Sequence, residues 1–257
     1  MKTIVQKHKK RTEYYKERIN IHAHTSVPWQ QLILKDFLAD IGRNENEICL
    51  DVGMGIGNNL ETISRFVSEI EAFDISPKVV EAVKRSPENI NIPLRVICAN
   101  AEHMPYDDNS FDLVICTEVL EHCLKPDAVI RECARVMKPG GYAIFSVPNY
   151  LNLAGLVKKI YDSFHDKKTW DAWGNHGSGI ENFTTSRWLN RLLYTSGFFV
   201  EEKRGGDLIR SWLPFFRRFY VLIDRYPFLG ATKRWPLNAC AMNYFCLAKK
   251  RDTNSPR

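Results

Sequence analysis

An apolar strand that runs straight into a glycine loop constrains this chain more than any other feature. Ile48-Cys49-Leu50-Asp51-Val52 leads into Gly53-Met54-Gly55-Ile56-Gly57, followed by Asn58-Asn59 and a helical pattern. Glycines are needed where a chain turns tightly and brings backbone N–H groups against a ligand, because a Cβ would stand in the way. Taken alone, the loop also suits a plain strand-to-helix turn. Strand, loop and helix in that order predict a nucleotide-type cofactor site. A dinucleotide site uses G-x-G-x-x-G, with pyrophosphate on the helix N-terminus. Here the third glycine comes one residue early, at Gly57, and Asn58 takes the expected position. Asp51 ahead of the loop suits a ligand with a cationic amino group and no phosphate.

The chain beyond the loop repeats the strand-then-acid arrangement. Glu69-Ile70-Glu71-Ala72-Phe73-Asp74 reads as a second strand ending in an acid, and Ser76-Pro77 reads as an N-cap with proline at the first helical position. Asp74 is placed to accept bonds from ribose hydroxyls, a feature that a dinucleotide site shares. A third strand, Leu94-Arg95-Val96-Ile97-Cys98, leads to Asn100-Ala101-Glu102-His103-Met104-Pro105-Tyr106, and a fourth follows in Ser110-Phe111-Asp112-Leu113-Val114-Ile115-Cys116-Thr117. Leu120-Glu121-His122, Met137-Lys138-Pro139-Gly140-Gly141 and Ser146-Val147-Pro148-Asn149 come next.

With Asp51 and the glycine loop, these ordered segments resemble the class I S-adenosylmethionine-dependent methyltransferases. The closer likeness is to the ubiquinone- and menaquinone-biosynthesis-like group and its "D-A-E-x-L-P-F … S-F-D", "L-E-H" and "L-K-P-G-G" segments. The resemblance covers roughly residues 45 to 150, with a weaker echo at Phe183-Thr184 and Ser196-Gly197-Phe198. Asn100 stands where the group often has Asp, and Met137 where it often has Leu. The resemblance implies S-adenosylmethionine as cofactor and a role for each matching residue. Gly53, Gly55 and Gly57 approach the methionine part, and Asp51 supports the loop or the amino group. Asp74 holds the ribose and Ile75 packs on adenine, while Asn100, Ala101 and Glu102 surround the adenine edge. Thr117 offers its carbonyl to the methionine amino group.

The periodicity predicts a Rossmann-like, doubly wound α/β fold with a mostly parallel seven-stranded sheet and helices on both faces. Residues 28–41 form an amphipathic helix with Trp29, Leu32, Leu34, Phe37, Leu38 and Ile41 at its apolar positions. Strands fall near 47–52, 69–74, 94–98, 112–117 and 142–147, rich in Val, Ile, Leu and Cys as a sheet covered on both faces requires. Helices near 58–67, 77–85 and 126–138 connect them, the last stopped by proline and glycine. A helix near 185–196 feeds a strand at 198–203, and Met242 to Ala248 closes the sheet. In open α/β sheets ligands bind beyond the C-terminal strand ends, where Gly53, Asp74, Asn100 and Thr117 all fall.

This gives an N-terminal basic or lid segment at 1–26, a single domain over 27–250 and a tail at 251–257. Two inserted helical or aromatic lid segments, about 150–183 and 207–238, are expected to carry substrate choice. The first holds Trp170, Trp173, His176, Gly177 and Gly179. The second interleaves apolar and aromatic residues with Arg210, Arg217, Arg218 and Arg225, which suits a cap over a lipophilic acceptor, peripheral contact of 208–229 with an anionic membrane, or a helical pair packed on the sheet edge.

Net charge is +6, in short basic clusters of the kind that usually face solvent. No familiar nucleic-acid signature accompanies them, and no nucleic-acid partner is expected. Seven scattered cysteines without a Cys-x-x-Cys pair read as small apolar residues in a reducing compartment. No run approaches 18 apolar residues, so a cytoplasmic protein, peripheral to membranes at most, is expected. The histidines show no metal-ligand spacing and no metal is expected.

A methyl acceptor that keeps a proton requires a base, and histidine titrates near neutrality. His122, after the fourth strand, and His176, in the glycine-flanked insert, are the candidates, each with a plain structural role as the alternative. The reading is methyl transfer to a small-molecule or lipid-like acceptor, oxygen slightly ahead of nitrogen or carbon. A non-catalytic cofactor-binding partner protein and an NAD(P)-dependent oxidoreductase remain as alternatives.

Overall fold

The computed structural model describes residues 28–42, 46–85, 90–164, 182–208, 231–233 and 236–252. Residues 1–26, the insert residues Trp170, Trp173, His176, Gly177 and Gly179, and nearly all of 208–229 lie outside the described residues.

Among the described residues, eight strands form one sheet: β1 (Ile48–Val52), β2 (Glu69–Asp74), β3 (Leu94–Cys98), β4 (Phe111–Thr117), β5 (Met137–Pro148), β6 (Phe198–Gly206), β7 (Ala231–Thr232) and β8 (Asn243–Lys250). Their order is β3-β2-β1-β4-β5-β8-β6-β7. The first five are parallel; β8 is antiparallel to both β5 and β6, and β7 is antiparallel to β6. The expected count of seven is therefore corrected to eight. The extra strand is a two-residue edge piece pairing Thr232 with Gly205 and Ala231 with Gly206, too short to leave a period-2 signal. The strand expected to close the sheet, β8, instead lies inside it, between β5 and β6.

Helices α1 (Pro28–Ile41), α2 (Leu60–Ile63), α3 (Pro77–Arg85), α4 (Pro126–Val136), α5 (Leu153–Phe164), α6 (Ser186–Thr195) and α7 (Leu237–Cys240), with a 3₁₀ turn at Leu120–His122, complete the described elements. The pleat of each central strand sorts its residues between two cores. Cys49, Ile70, Ala72, Ile115 and Ile144 pack with Trp29, Ile33 and Phe37 of α1 and with Val79 and Val83 of α3. Leu50, Val52, Val114, Cys116 and Phe145 pack on the opposite face with Val129 and Cys133 of α4 and with Leu189 and Leu193 of α6. Burial on both faces accounts for the near-continuous apolar runs.

Three boundaries differ from the sequence pattern. The helix expected over 58–67 is a single α turn, after which Arg65 N–H donates to Thr62 and Phe66 N–H to Ile63, three residues back rather than four. That tightening brings the chain down to β2 within a few residues. Helix α4 stops at Val136 because Met137 is already extended and paired with Phe111. In α1, Ile33 is fully buried while Leu32 and Ile41 are only partly so.

Candidate functional site

The C-terminal ends of β1, β2 and β4 bring Asp51, Asp74 and Thr117 to one edge of the sheet. Asp51 pairs in register with Ala72 and Ile115, which puts Asp74 and Thr117 one pleat further along on the same face. The loop leaving β1 passes over this edge. Gly53, Gly55 and Gly57 all have positive φ, at 68°, 54° and 86°. A Cβ on Gly53 would sit 2.6 Å from Val119 Cγ2, whereas one on Gly55 would meet nothing within 4 Å. The loop is thus closed on the protein side at Gly53 and open at Gly55, where a ligand can approach the backbone.

Asp74 fastens the loop to β2. Its Oδ2 accepts from Gly55 N–H at 3.1 Å and its Oδ1 from Ser76 N–H at 2.8 Å, while Met54 N–H donates to the Phe73 carbonyl at 3.0 Å. Asp51 is 1% exposed, and its Oδ2 has no hydrogen-bond partner among the described residues. Burial, with a contribution from the Asp74 carboxylate, pushes the Asp51 carboxyl up to about 7. A buried carboxylate oxygen without a donor is costly, and an incoming ammonium would relieve it.

The helix after the loop is one turn long, and Asn59 at its N-cap makes no side-chain cap bond. The Asn59 side chain lies instead between α1 and β4: its Nδ2 donates to Thr117 Oγ1 at 3.1 Å and its Oδ1 accepts from Gln31 Nε2 at 2.9 Å. A single turn offers few aligned amides to a pyrophosphate. An amino-acid-bearing cofactor fits this loop better than a dinucleotide does.

The residues expected at the adenine edge divide by orientation. Ile75 is partly exposed beside Asp74. Asn100 is exposed, but its Oδ1 accepts from Glu102 N–H at 3.0 Å, so the amide oxygen closes a turn. Ala101 is buried against the core. Glu102 turns away to accept from Leu124 N–H at 2.9 Å and Lys125 N–H at 3.0 Å, holding the chain ahead of α4.

His122 sits in the 3₁₀ turn after β4, its side chain 23% exposed and its Nε2 3.8 Å from Oε1 of the buried Glu121. Asn182, where the chain returns from the first insert, clamps this turn: its N–H donates to the Glu121 carbonyl at 2.8 Å, and its Nδ2 donates to the carbonyls of Cys123 at 2.8 Å and Leu120 at 3.2 Å. His176 lies outside the described residues.

Sequence reasoning passed over Gln31, Asn59, Asn182 and Glu118. Glu118 follows Thr117 with φ of 56°, a sparsely populated conformation for a residue with a side chain. Its carboxylate accepts from Ser146 Oγ at 2.8 Å and from Asn243 Nδ2 at 2.9 Å, and its N–H donates to Ser146 Oγ at 3.0 Å. The partners come from distant strands, so no local spacing announces them.

A largely parallel sheet with a glycine loop, an acid ending β2 and an acid ahead of the loop is the arrangement of a nucleoside-cofactor-binding α/β domain. Residues 50–145 match the family model described as a methyltransferase domain. The chain is 32% identical over 120 residues to a malonyl-[acyl-carrier protein] O-methyltransferase of Marinomonas sp. (strain MWYL1), covering 46% of this chain and 44% of that protein. It is 32% identical over 100 residues to a ubiquinone biosynthesis O-methyltransferase of Coxiella burnetii, covering 39% of this chain and 43% of that protein. The chain thus spans less than half the length of these curated relatives. Among solved structures, an S-adenosylmethionine-dependent methyltransferase of Mesorhizobium loti superposes with a TM-score of 0.57 at 15% identity, over 84% of this chain and 96% of that one. The [4+2]-cyclase SpnF superposes at 0.58 and 22% identity, over 93% and 86% of the two chains. Over residues 50–145 the chain is thus similar to methyltransferase domains, among them those of proteins named ubiquinone biosynthesis O-methyltransferases. S-adenosylmethionine is the cofactor of that domain class, and the donorless Asp51 oxygen and the open space at Gly55 fit it.

Proposed function

We propose that this protein transfers the methyl group of S-adenosylmethionine to an oxygen of a small or lipid-like acceptor. The convergence of Asp51, Asp74, Thr117 and an open glycine loop on one sheet edge, with only a one-turn helix behind the loop, supports this best. When bound, the cofactor supplies a methyl already activated on a sulfonium. The protein's task is then to hold, orient and exclude water.

Asp51 and the Thr117 carbonyl receive the amino group of the methionine part, the glycine loop approaches its backbone-like end, and Asp74 receives the ribose hydroxyls. The Asn100 turn and Ile75 border the adenine. For a hydroxyl acceptor, His122 takes the proton, and Glu121 orients the ring and stabilises its charged form. That the curated relatives above are named O-methyltransferases supports oxygen as the acceptor atom. One domain holds the cofactor, and the segments around 150–183 and 207–238 choose the acceptor.

Calorimetric titration tests the reading. Micromolar binding of S-adenosylmethionine and S-adenosylhomocysteine, without NADH binding, is the expected result; binding of NADH alone would overturn it. Asp74→Ala removes a charged acceptor shared by the loop and the ribose and should weaken cofactor binding tenfold to a hundredfold. Unchanged affinity would remove Asp74 from the site. Once an acceptor is found, His122→Ala should lower turnover with little change in cofactor affinity.

A further inference from the structure

Helix α1 lies outside residues 50–145, the span that matches the methyltransferase domain, yet one of its side chains reaches the glycine loop. Gln31 uses both ends of its carboxamide there. Its Nε2 donates to the Asn58 carbonyl at 3.2 Å and to Asn59 Oδ1 at 2.9 Å, and its Oε1 accepts from Thr62 Oγ1 at 2.8 Å. We propose that Gln31 is a positioning residue that holds the glycine loop in its cofactor-binding shape, so that α1 completes the cofactor site; the cofactor is that of the methyltransferase reading above.

Two observations carry this. Helix α2 has one turn and no side-chain cap, so the loop has no long helix of its own to steady it. Helix α1, in contrast, is fixed to the sheet two residues before Gln31. The Trp29 ring packs so closely on β6 that a Cβ on Gly206 would lie 2.0 Å from it, and it meets Phe245 of β8 edge-on with centroids 6.0 Å apart. Further along, the buried Arg204 guanidinium stacks 4.9 Å over Phe37 and bonds Asp40 Oδ2 at 3.1 Å. The path therefore closes on itself: sheet to α1, Gln31 to Asn59, and Asn59 to Thr117 back on the sheet. A loop held at both ends loses less freedom when it binds, which raises affinity without a new ligand contact.

The test pairs cofactor titration with amide exchange in the ligand-free protein. Gln31→Ala should weaken S-adenosylmethionine binding about tenfold, as losing one or two hydrogen bonds implies, and should speed exchange at the amides of Gly57 and Leu60. Gln31→Glu keeps the acceptor for Thr62 but loses the N–H groups, and should behave like Gln31→Ala. Asn59→Ala should weaken binding to a similar degree, and the double variant should be no weaker than either single one. A fallen melting temperature with unchanged cofactor affinity would overturn the proposal, as would fully additive effects of the two substitutions. If the unsubstituted protein binds no S-adenosylmethionine, the methyltransferase reading fails and the cofactor half of the proposal with it. Loop exchange then decides separately whether the clamp exists.

Discussion

The Asp51 carboxyl is buried beside a second acid, and its pH dependence follows from that alone. With its pKa raised from 3.8 to about 7, the native state binds more protons than the unfolded chain across that window. Stability from this group is present below pH 4 and is lost as pH rises toward 7. Asp51→Asn cannot ionise, so in cofactor-free protein it should be more stable than the parent at pH 8, by at most about 4 kcal/mol, and nearly equal at pH 4. Denaturant titrations at the two pH values measure this, and an equal difference at both would remove the linkage. The glycines make a second residue-level contrast. Gly53→Ala must displace Val119 and strain a φ of 68°, so it should destabilise the fold by a few kcal/mol. Gly55→Ala meets open space, so it should cost about 1–2 kcal/mol for its φ and mainly impair cofactor binding. Melting temperature and cofactor affinity for the pair separate the two effects. The sequence pattern marked Asp51 and all three glycines, since their chemistry is local. It could not show that the Asn100 oxygen is already used by Glu102, because that turn depends on which way an amide points.

At the scale of elements, the segment from Asn100 to Asp108 is held from outside by helix α4. Arg135 donates to the carbonyls of Met104 at 3.0 Å and Tyr106 at 2.8 Å, and it pairs with Glu132 at 2.8 Å and with Asp108 at 2.8 Å. Glu132 in turn accepts from Met104 N–H at 2.8 Å, and the bond from Arg135 leads in holding its carboxyl below the ordinary range. Stability from Glu132 is therefore present above its ordinary pKa and is lost as pH falls through the folded value. Arg135→Ala takes a donor from two carbonyls and from the carboxylates of Glu132 and Asp108 and should cost about 2–3 kcal/mol near neutrality, with the loss concentrated in exchange protection around Met104. Uniform loss across the sheet would argue against a local clamp. The elements themselves were largely readable, because period and punctuation are local: α1 and α3 start and stop where the pattern has them. Helix α2 was not, since nothing in Leu60 to Val67 reveals that the chain must tighten to reach β2.

Across the whole molecule, the parallel half joins the antiparallel half along the β5–β8 ladder, and one buried side chain ties the end of that join. Asn149 follows the last residue of β5 and is 1% exposed. Its Nδ2 donates to the carbonyls of Ala239 at 2.8 Å and Ala241 at 2.9 Å, its Oδ1 accepts from Ser186 N–H at 3.0 Å, and its N–H donates to the Met242 carbonyl at 2.5 Å. It thus ties β5 to α6, to α7 and to the turn that enters β8, the strand that lies inside the sheet. The sequence displayed Asn149 at the end of the Ser146-Val147-Pro148-Asn149 segment, yet partners up to 93 residues away leave no trace in spacing. Asn149→Asp matches the shape but sets a carboxylate against two carbonyl oxygens, whereas Asn149→Ala takes one donor from each of those oxygens, which keep Ser186 Oγ at 3.4 Å and Asn152 Nδ2 at 3.2 Å, and leaves the Ser186 N–H without its acceptor. Both should destabilise, Asn149→Ala by about 2–4 kcal/mol and Asn149→Asp by at least as much near neutral pH. Only the aspartate variant should recover on acidification, since a protonated carboxyl regains one donor. At roughly 2–4 °C per kcal/mol for a chain of this size, the neutral-pH loss is readable in a melting curve. If the two variants melt together at every pH, the donor role of Asn149 is wrong and its contribution is packing alone.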